Sequence, residues 1–257
     1  MTAQDIIAAL DLPGNCRVDR PISPKLLIEN VAPNPGDKRQ INNCIERIDW
    51  LAALKPNNIG VPEYRDDVRE YREIAVLSVA LKAGPDTTEK PGRLAELIHR
   101  AIPYPTVLLL KAQQGLILSV AHKRWAQNEA DKVILDGDVV AVRLIDCASS
   151  SPVEINFLQV LALRRQPQAT LHALYQGWVD CIQALQAAHL TGAFKLAGNP
   201  EQAARRRQAL QSCQRLELEA AGLRAQADKE KQVARQVEMN LELVRVKTEL
   251  TALRQFL

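Results

Sequence analysis

Glu73-Ile-Ala-Val-Leu-Ser-Val-Ala-Leu-Lys82 is an aliphatic run interrupted only by Ser78, dense in β-branched and other aliphatic residues and bounded by charge at both ends. Without polar alternation, such a run predicts a β-strand buried on both faces. The rest of the chain is read outward from it. Before the run, residues 37–54 put Ile41, Cys44, Ile45, Ile48, Leu51 and Leu54 on one helical face, and Pro56 ends the pattern. Earlier still, Pro13-Gly14, Pro21, Pro24, Pro33 and Pro35-Gly36 break the chain. They leave room for a short helix at residues 6–10 and a short strand or extended arm at Lys25-Leu-Leu-Ile28. After the run, Gly84-Pro85-Asp86 predicts a turn and residues 93–101 a short helix, stopped by Pro103-Tyr104-Pro105. Residues 106–110 and 116–121 predict a hairpin through Gln113-Gln114-Gly115. Residues 133–135 and 139–145 predict another around Asp136-Gly137-Asp138. The order predicts an α+β fold, a small mixed sheet flanked by helices, over residues 1–147 with an N-terminal arm.

Ser149-Ser150-Ser151-Pro152 marks a boundary, and a helical segment follows over residues 152–198. Its helices span 156–163 and 170–190, the second with Leu171, Leu174, Trp178, Cys181, Ile182 and Leu185 on one side. Gly198-Asn199-Pro200 is the next break, with Pro200 placed to open a helix. Residues 200–257 then read as a long C-terminal coiled-coil helix. Leu216, Ala220, Leu223 and Ala227, then Ala234, Val237, Leu241 and Val244, recur at steps of four and three, the coiled-coil period. Met239, Leu243, Val246, Leu250, Leu253 and Leu257 keep the same steps two residues out of phase. The candidate seam is therefore Leu216, Leu223, Val237, Leu241, Val244, Val246, Leu250 and Leu253, with two stripes competing for it. Such a helix cannot bury its seam alone. Its partner is a second copy, a foreign helix or residues 170–190. Asn240, between Val237 and Val244, sets register if buried and is a polar flank if exposed.

The 257 residues are 47% hydrophobic and 25% charged, an ordinary globular composition. A net charge of +3 does not by itself signal nucleic-acid binding. No run approaches the roughly 18 apolar residues of a membrane span, and Met-Thr-Ala-Gln-Asp lacks the order of a signal peptide. Five scattered cysteines (Cys16, Cys44, Cys147, Cys181, Cys213), with no Cys-x-x-Cys pair, fit a reducing compartment. The expectation is a cytoplasmic protein that needs no cofactor or metal and no membrane.

Candidate chemistry is sparse. A divalent-metal nuclease would use Glu73, or Asp66, Asp67 and Glu70 nearby, with Lys82, Lys111 or Lys123. Glu73 and Lys82 lie nine residues apart, roughly 30 Å along an extended strand, so solvated strand ends fit them better. Nor does any Asp/Glu-x-Lys triplet occupy the later strands. His122-Lys123-Arg124-Trp125 sits at a strand exit, where bases could neutralise phosphate and the Trp ring stack on a nucleobase. Trp125 packed on the core is the plainer reading. Arg205-Arg206-Arg207 makes the start of the long helix basic, suited to phosphate or to salt bridges on a coil surface. His99, His122, His172 and His189 show no metal-ligand spacing.

Three stretches carry a resemblance. They are Ile48-Asp-Trp-Leu-Ala-Ala-Leu-Lys-Pro-Asn-Asn-Ile59, His99-Arg-Ala-Ile-Pro-Tyr-Pro-Thr-Val-Leu-Leu-Leu110 and Glu230-Lys-Gln-Val-Ala-Arg-Gln-Val-Glu-Met-Asn-Leu-Glu-Leu243. In that order they resemble the bacterial family of domain of unknown function 4391, from about residue 20 onward. The resemblance implies no catalytic residues. It implies a setting beside helicase-like and DNA-methyltransferase genes, in restriction-like or phage-defence loci. The resulting expectation is a non-enzymatic accessory or assembly subunit of such a system, an oligomer docking through its coiled coil and touching DNA. A helicase, methyltransferase or nuclease subunit would be its protein partner. A metal-dependent nuclease and a homodimeric DNA-binding protein are the alternatives.

Overall fold

The computed structural model describes residues 1–31, 34–82, 91–112, 115–127, 129, 132–144 and 151–257. It is a mixed α+β chain, as the sequence predicts. Its contacts divide it into two compact units, Met1–Ile182 and Gln183–Leu257, each described by itself.

The first unit is built on a six-stranded sheet. Strands β1 (Arg17–Ile22), β2 (Ile45–Leu54), β5 (Ile74–Leu81), β6 (Thr106–Ala112), β7 (Gly115–Ala121) and β10 (Val140–Leu144) lie side by side in the order β1-β2-β5-β6-β7-β10. All pairings are antiparallel except β5 with β6. A parallel neighbour requires a crossover, and helix α5 (Pro91–Ala101) lies between these two strands in the chain. As predicted, β5 is buried along almost its whole length. Leu77 and Val79 join a core with Leu27, Ile41, Leu94 and Ile98, from helices α2 (Pro24–Val31), α3 (Pro35–Cys44) and α5. Among the described residues, two small ribbons complete the strands: β3 (Tyr64–Arg65) with β4 (Glu70–Tyr71), and β8 (Lys123–Trp125) with β9 (Val133–Leu135).

Three local readings are corrected. The amphipathic pattern over residues 37–54 is helix only to Cys44; Ile45–Leu54 is strand β2. Register shifts fall between Ile45 and Arg47 and between Trp50 and Ala52. Each extra residue resets the inward phase, so Ile45 and Ile48 are both buried although three apart. The bulges thus imitate a helical stripe. Lys25–Ile28 is helical rather than extended, within α2. Finally, β9 and β10 do not form a hairpin, since β9 pairs with β8 and β10 with β7.

Other local signals place their elements, although the helix expected over residues 156–163 runs from Pro152 to Val160, with Leu163 in a separate 3-10 turn. Helix α1 (Ala3–Leu10) starts with a capping box between Thr2 and Asp5. A short turn of helix, α4 (Pro56–Ile59), follows β2 with its proline at the first helical position. Ser151 caps helix α6 (Pro152–Val160), its hydroxyl accepting from the Glu154 N–H while the Glu154 carboxylate accepts from Ser151 N–H. Ser149 and Ser150, the Gly84-Pro85-Asp86 turn, Gln113, Gln114 and Cys147 lie outside the described residues. Helix α7 (Leu171–Thr191) presents the expected buried side. Its Tyr175 hydroxyl donates to the Thr106 carbonyl (2.7 Å) and accepts from the Ala121 N–H (2.8 Å), tying the helix to β6 and β7. The Trp178 indole donates to the Leu161 carbonyl at 2.9 Å.

In the second unit the long terminal helical stretch is present, but divided. Helix α8 (Pro200–Ala227) opens with Asn199 as its cap and Pro200 at its first position, and helix α9 (Val233–Leu253) follows. Residues 228–232 reverse the chain. Glu230 steadies the turn by accepting from the N–H groups of Lys231 and Gln232, both at 2.8 Å.

Two glycines test the packing. A Cβ on Gly177 in α7 would lie 2.6 Å from the Gln166 side-chain oxygen and 2.7 Å from Pro167 Cδ. Gln166 is itself buried and bonded to the Val160 carbonyl, so it cannot yield freely. Gly177→Ala is expected to destabilise by about 1–2 kcal/mol even after the helix-propensity gain. A Cβ on Gly222 in α8 meets nothing within 4 Å, so Gly222→Ala should stabilise by about 0.5–1 kcal/mol. Urea denaturation of both variants checks the opposite signs.

Candidate functional site

The basic strand exit His122-Lys123-Arg124-Trp125 turns largely inward. Lys123 is only 2% exposed, and its ammonium donates to the His99 carbonyl. Burial pulls its pKa down to about 7. His122 is half-buried, with Nδ1 2.5 Å from the Tyr71 hydroxyl and Nε2 2.9 Å from Gln176 Oε1. This pattern suits a neutral ring that accepts from Tyr71 and donates to Gln176. Burial first, then the nearby His172, lowers its pKa to about 4. Arg124 and Trp125 are partly exposed. The Arg124 guanidinium lies 3.8 Å from Asp136, and the Trp125 N–H donates to the Val68 carbonyl at 2.8 Å. Both ring nitrogens of His122 and the ammonium of Lys123 are thus engaged by groups of the fold itself.

Around His122 lies a cluster that the sequence did not single out. Tyr71 and Tyr175 are fully buried, and Tyr64 stacks on His172 with ring centroids 4.8 Å apart. Tyr71 meets His172 edge-on at 4.9 Å, and His122 meets Tyr175 at 5.3 Å. Of the chain's 4 tyrosines only Tyr104 is elsewhere; that rarity was the available signal. At the rim, Asp66 accepts from the Tyr64 hydroxyl (2.7 Å), and Arg69 pairs with Asp136 at 2.6 Å. Asp136, in the Asp136-Gly137-Asp138 turn, is thus held by two arginines. Deeper inside, His99 Nε2 lies 3.1 Å from Ser119 Oγ, while its Nδ1 has no hydrogen-bond partner among the described residues.

The acids considered for metal chemistry are distributed otherwise. Glu73 is buried, not solvated, and its carboxylate lies 3.0 Å from Lys55 Nζ. The Lys82 ammonium donates to the Asn42 carbonyl at 2.7 Å. Glu70 lies 2.7 Å from Arg72. Among the described residues, no three His, Cys, Asp or Glu side chains are grouped to hold a metal ion.

In the second unit the two sequence stripes have different occupations. Leu216 and Ala220 of α8 pack with Leu243 and Val246 of α9, joined by Leu223, Leu250 and Leu253. Arg215 reaches Glu249 at 3.9 Å, and the Gln236 amide donates to the Ala227 carbonyl at 3.2 Å. The small side chain of Ala220 on α8 packs in the same seam as the bulkier Leu243 and Val246 of α9. The α8 half of the first stripe has met the second stripe within the same chain. The α9 half has not. Val233, Val237, Leu241 and Val244 are 72%, 51%, 62% and 59% exposed. At 100° per residue they form one face, opposite the one that meets α8. Asn240 is exposed on the same side. The arginine run divides similarly. Arg205 is exposed and pairs with Glu201 (2.7 Å), and Arg207 is exposed. Arg206 is buried and donates to the Leu257 carbonyl at 3.3 Å.

A family model described as a domain of unknown function, DUF4391, matches residues 10–250. No curated protein matches, and no solved structure does.

The buried bases predict how stability depends on pH. His122 and His99 stay neutral in the folded chain down to about 4 and about 3, against an ordinary 6.5. Below pH 6.5 the unfolded chain binds more protons, so stability falls as pH drops toward 4. Lys123 titrates near 7 when folded, against 10.5 ordinarily. Between those values the unfolded chain again holds the extra proton, so this residue makes stability rise with pH. Lys123→Met should flatten the upper part of the profile, measured by urea denaturation at stepped pH. An unchanged slope would remove Lys123 as its source.

Proposed function

The chain belongs to the DUF4391 family, and from that premise and the geometry above we propose that it is an accessory or assembly subunit. It joins its complex through the outward face of α9. The observation that carries this reading is the row Val233, Val237, Leu241 and Val244 standing in solvent on a helix whose opposite face is already covered. A surface helix ordinarily keeps one face polar. A second apolar face on a helix held by an intramolecular seam marks a place where another helix packs. The hairpin orders α9 in advance, so docking need not form the helix as well.

The resemblance supplies the setting: a bacterial restriction-like or anti-phage system, with a helicase, methyltransferase or nuclease subunit nearby. Within this reading, contact with DNA falls to the exposed Arg205 and Arg207 and to Arg124 and Trp125 at the cluster rim. Glu73 and Lys82, each committed to a neighbour in the fold, give the nuclease alternative no support.

Val237→Asp with Leu241→Asp, in the full chain, tests the reading. Both sites are exposed within the chain, so the variant should keep its fold, read as an unchanged far-ultraviolet circular dichroism spectrum. Co-expressed with the products of its flanking genes, the wild type should emerge from size exclusion in an assembly, and the double variant alone. Assembly that survives the two aspartates would move the docking site away from α9.

A further inference from the structure

We infer, resting on the docking reading above, that the occupant of the outward face of α9 is a second copy of this chain, paired antiparallel about a two-fold axis near Glu242 and Leu243. From Ala234 the exposed positions continue through Val237, Leu241 and Val244 to Thr248 and Thr251, at alternating steps of three and four. This is the coiled-coil repeat, extended over about 27 Å of helix. Thr248 and Thr251 fit an apolar row because their hydroxyls donate to the Val244 and Lys247 carbonyls of their own helix, each at 2.9 Å. Their methyl groups are left for the outer surface.

The occupant is decided by charge on the two flanks. Glu238 and Arg245 border the row on one side, Asn240 and Lys247 on the other, and all four are exposed. In an antiparallel pair each flank meets the same flank of its partner. Placing Leu241 against Val244 of the second copy, and Val237 against Thr248, brings Glu238 beside Arg245 twice, by symmetry. On the other side Asn240 meets Lys247, an amide beside an ammonium. No like charges meet. A parallel pair would instead set Glu238 beside Val233 and Arg245 beside Asn240, leaving every charge without an opposite. The face is complementary to itself under a two-fold rotation, as an isologous interface requires. Arg245 has an intrahelical partner, Glu242, at 2.9 Å, and can reach Glu238 of the second copy from the same flank.

Analytical ultracentrifugation of the full chain over a wide concentration range tests this. The wild type should reach the mass of a dimer. Glu238→Arg alone, and Arg245→Glu alone, each create two like-charge contacts and should weaken the dimer roughly tenfold. Equal amounts of the two single variants should recover association as a mixed dimer, and the doubly exchanged chain should recover it alone. A monomeric wild type, single variants that pair as well as wild type, or a mixture no tighter than its components would overturn the proposal. If the wild type is monomeric while its capture of a co-expressed protein still depends on Val237 and Leu241, the second copy is excluded and the docking reading stands. Loss of both would remove both.

Discussion

The requirement that β5 be covered on both faces organises the first unit. A strand with almost no polar side chain on either side cannot face water, and it cannot lie at a sheet edge without exposing its backbone. It therefore sits inside the sheet, between β2 and β6. Leu77 and Val79 are covered by helices contributing Leu27, Ile41 and Ile98. Tyr175 fixes α7 to the ends of the neighbouring β6 and β7 through backbone hydrogen bonds rather than apolar contact alone. A phenol serves here because its ring belongs in a dry interior while its hydroxyl reaches main-chain groups at a strand end.

How much of this was legible depends on where the side-chain period survives. The runs that became β5, β6 and β7 keep an aliphatic density no helix face needs, and they are found where the sequence puts them. β2 was concealed by its two bulges, which replace a spacing of two by a spacing of three and so resemble a helix turn. β1 was concealed differently: a register shift after Arg17 and the ring of Pro21 leave no alternation to read. The false hairpin at Asp136-Gly137-Asp138 had the right turn residues. What local sequence does not contain is that β9 has a nearer partner in β8.

The terminal helices hold the plainest case of a signal seen but not interpreted. Two apolar stripes two residues out of phase on a single helix are a contradiction, because each would demand its own partner. A chain that reverses at residues 228–232 resolves it: the stripes fold onto one another where they overlap in space, and the remainder of the first is left outside. Neither Pro nor Gly marks the reversal. The change of phase was the sign. Lys123 is a similar lesson on a smaller scale. Read as part of a basic cluster it belongs in solvent, but two residues after the buried Ala121 it falls on the inward side of an extended chain.

One end of the sheet has a consequence for how the molecule can multiply. β1 is an outermost strand, and along it Pro21 has no N–H while Asp19 takes a left-handed backbone (φ 45°). The row of donors and acceptors that another strand would need is interrupted twice within six residues. Arg17 and Arg20 add charge to the same edge. Growth by adding strands there, the route that leads from folded domains to fibres, is disfavoured by the backbone itself. That edge makes a poor template for polymerisation.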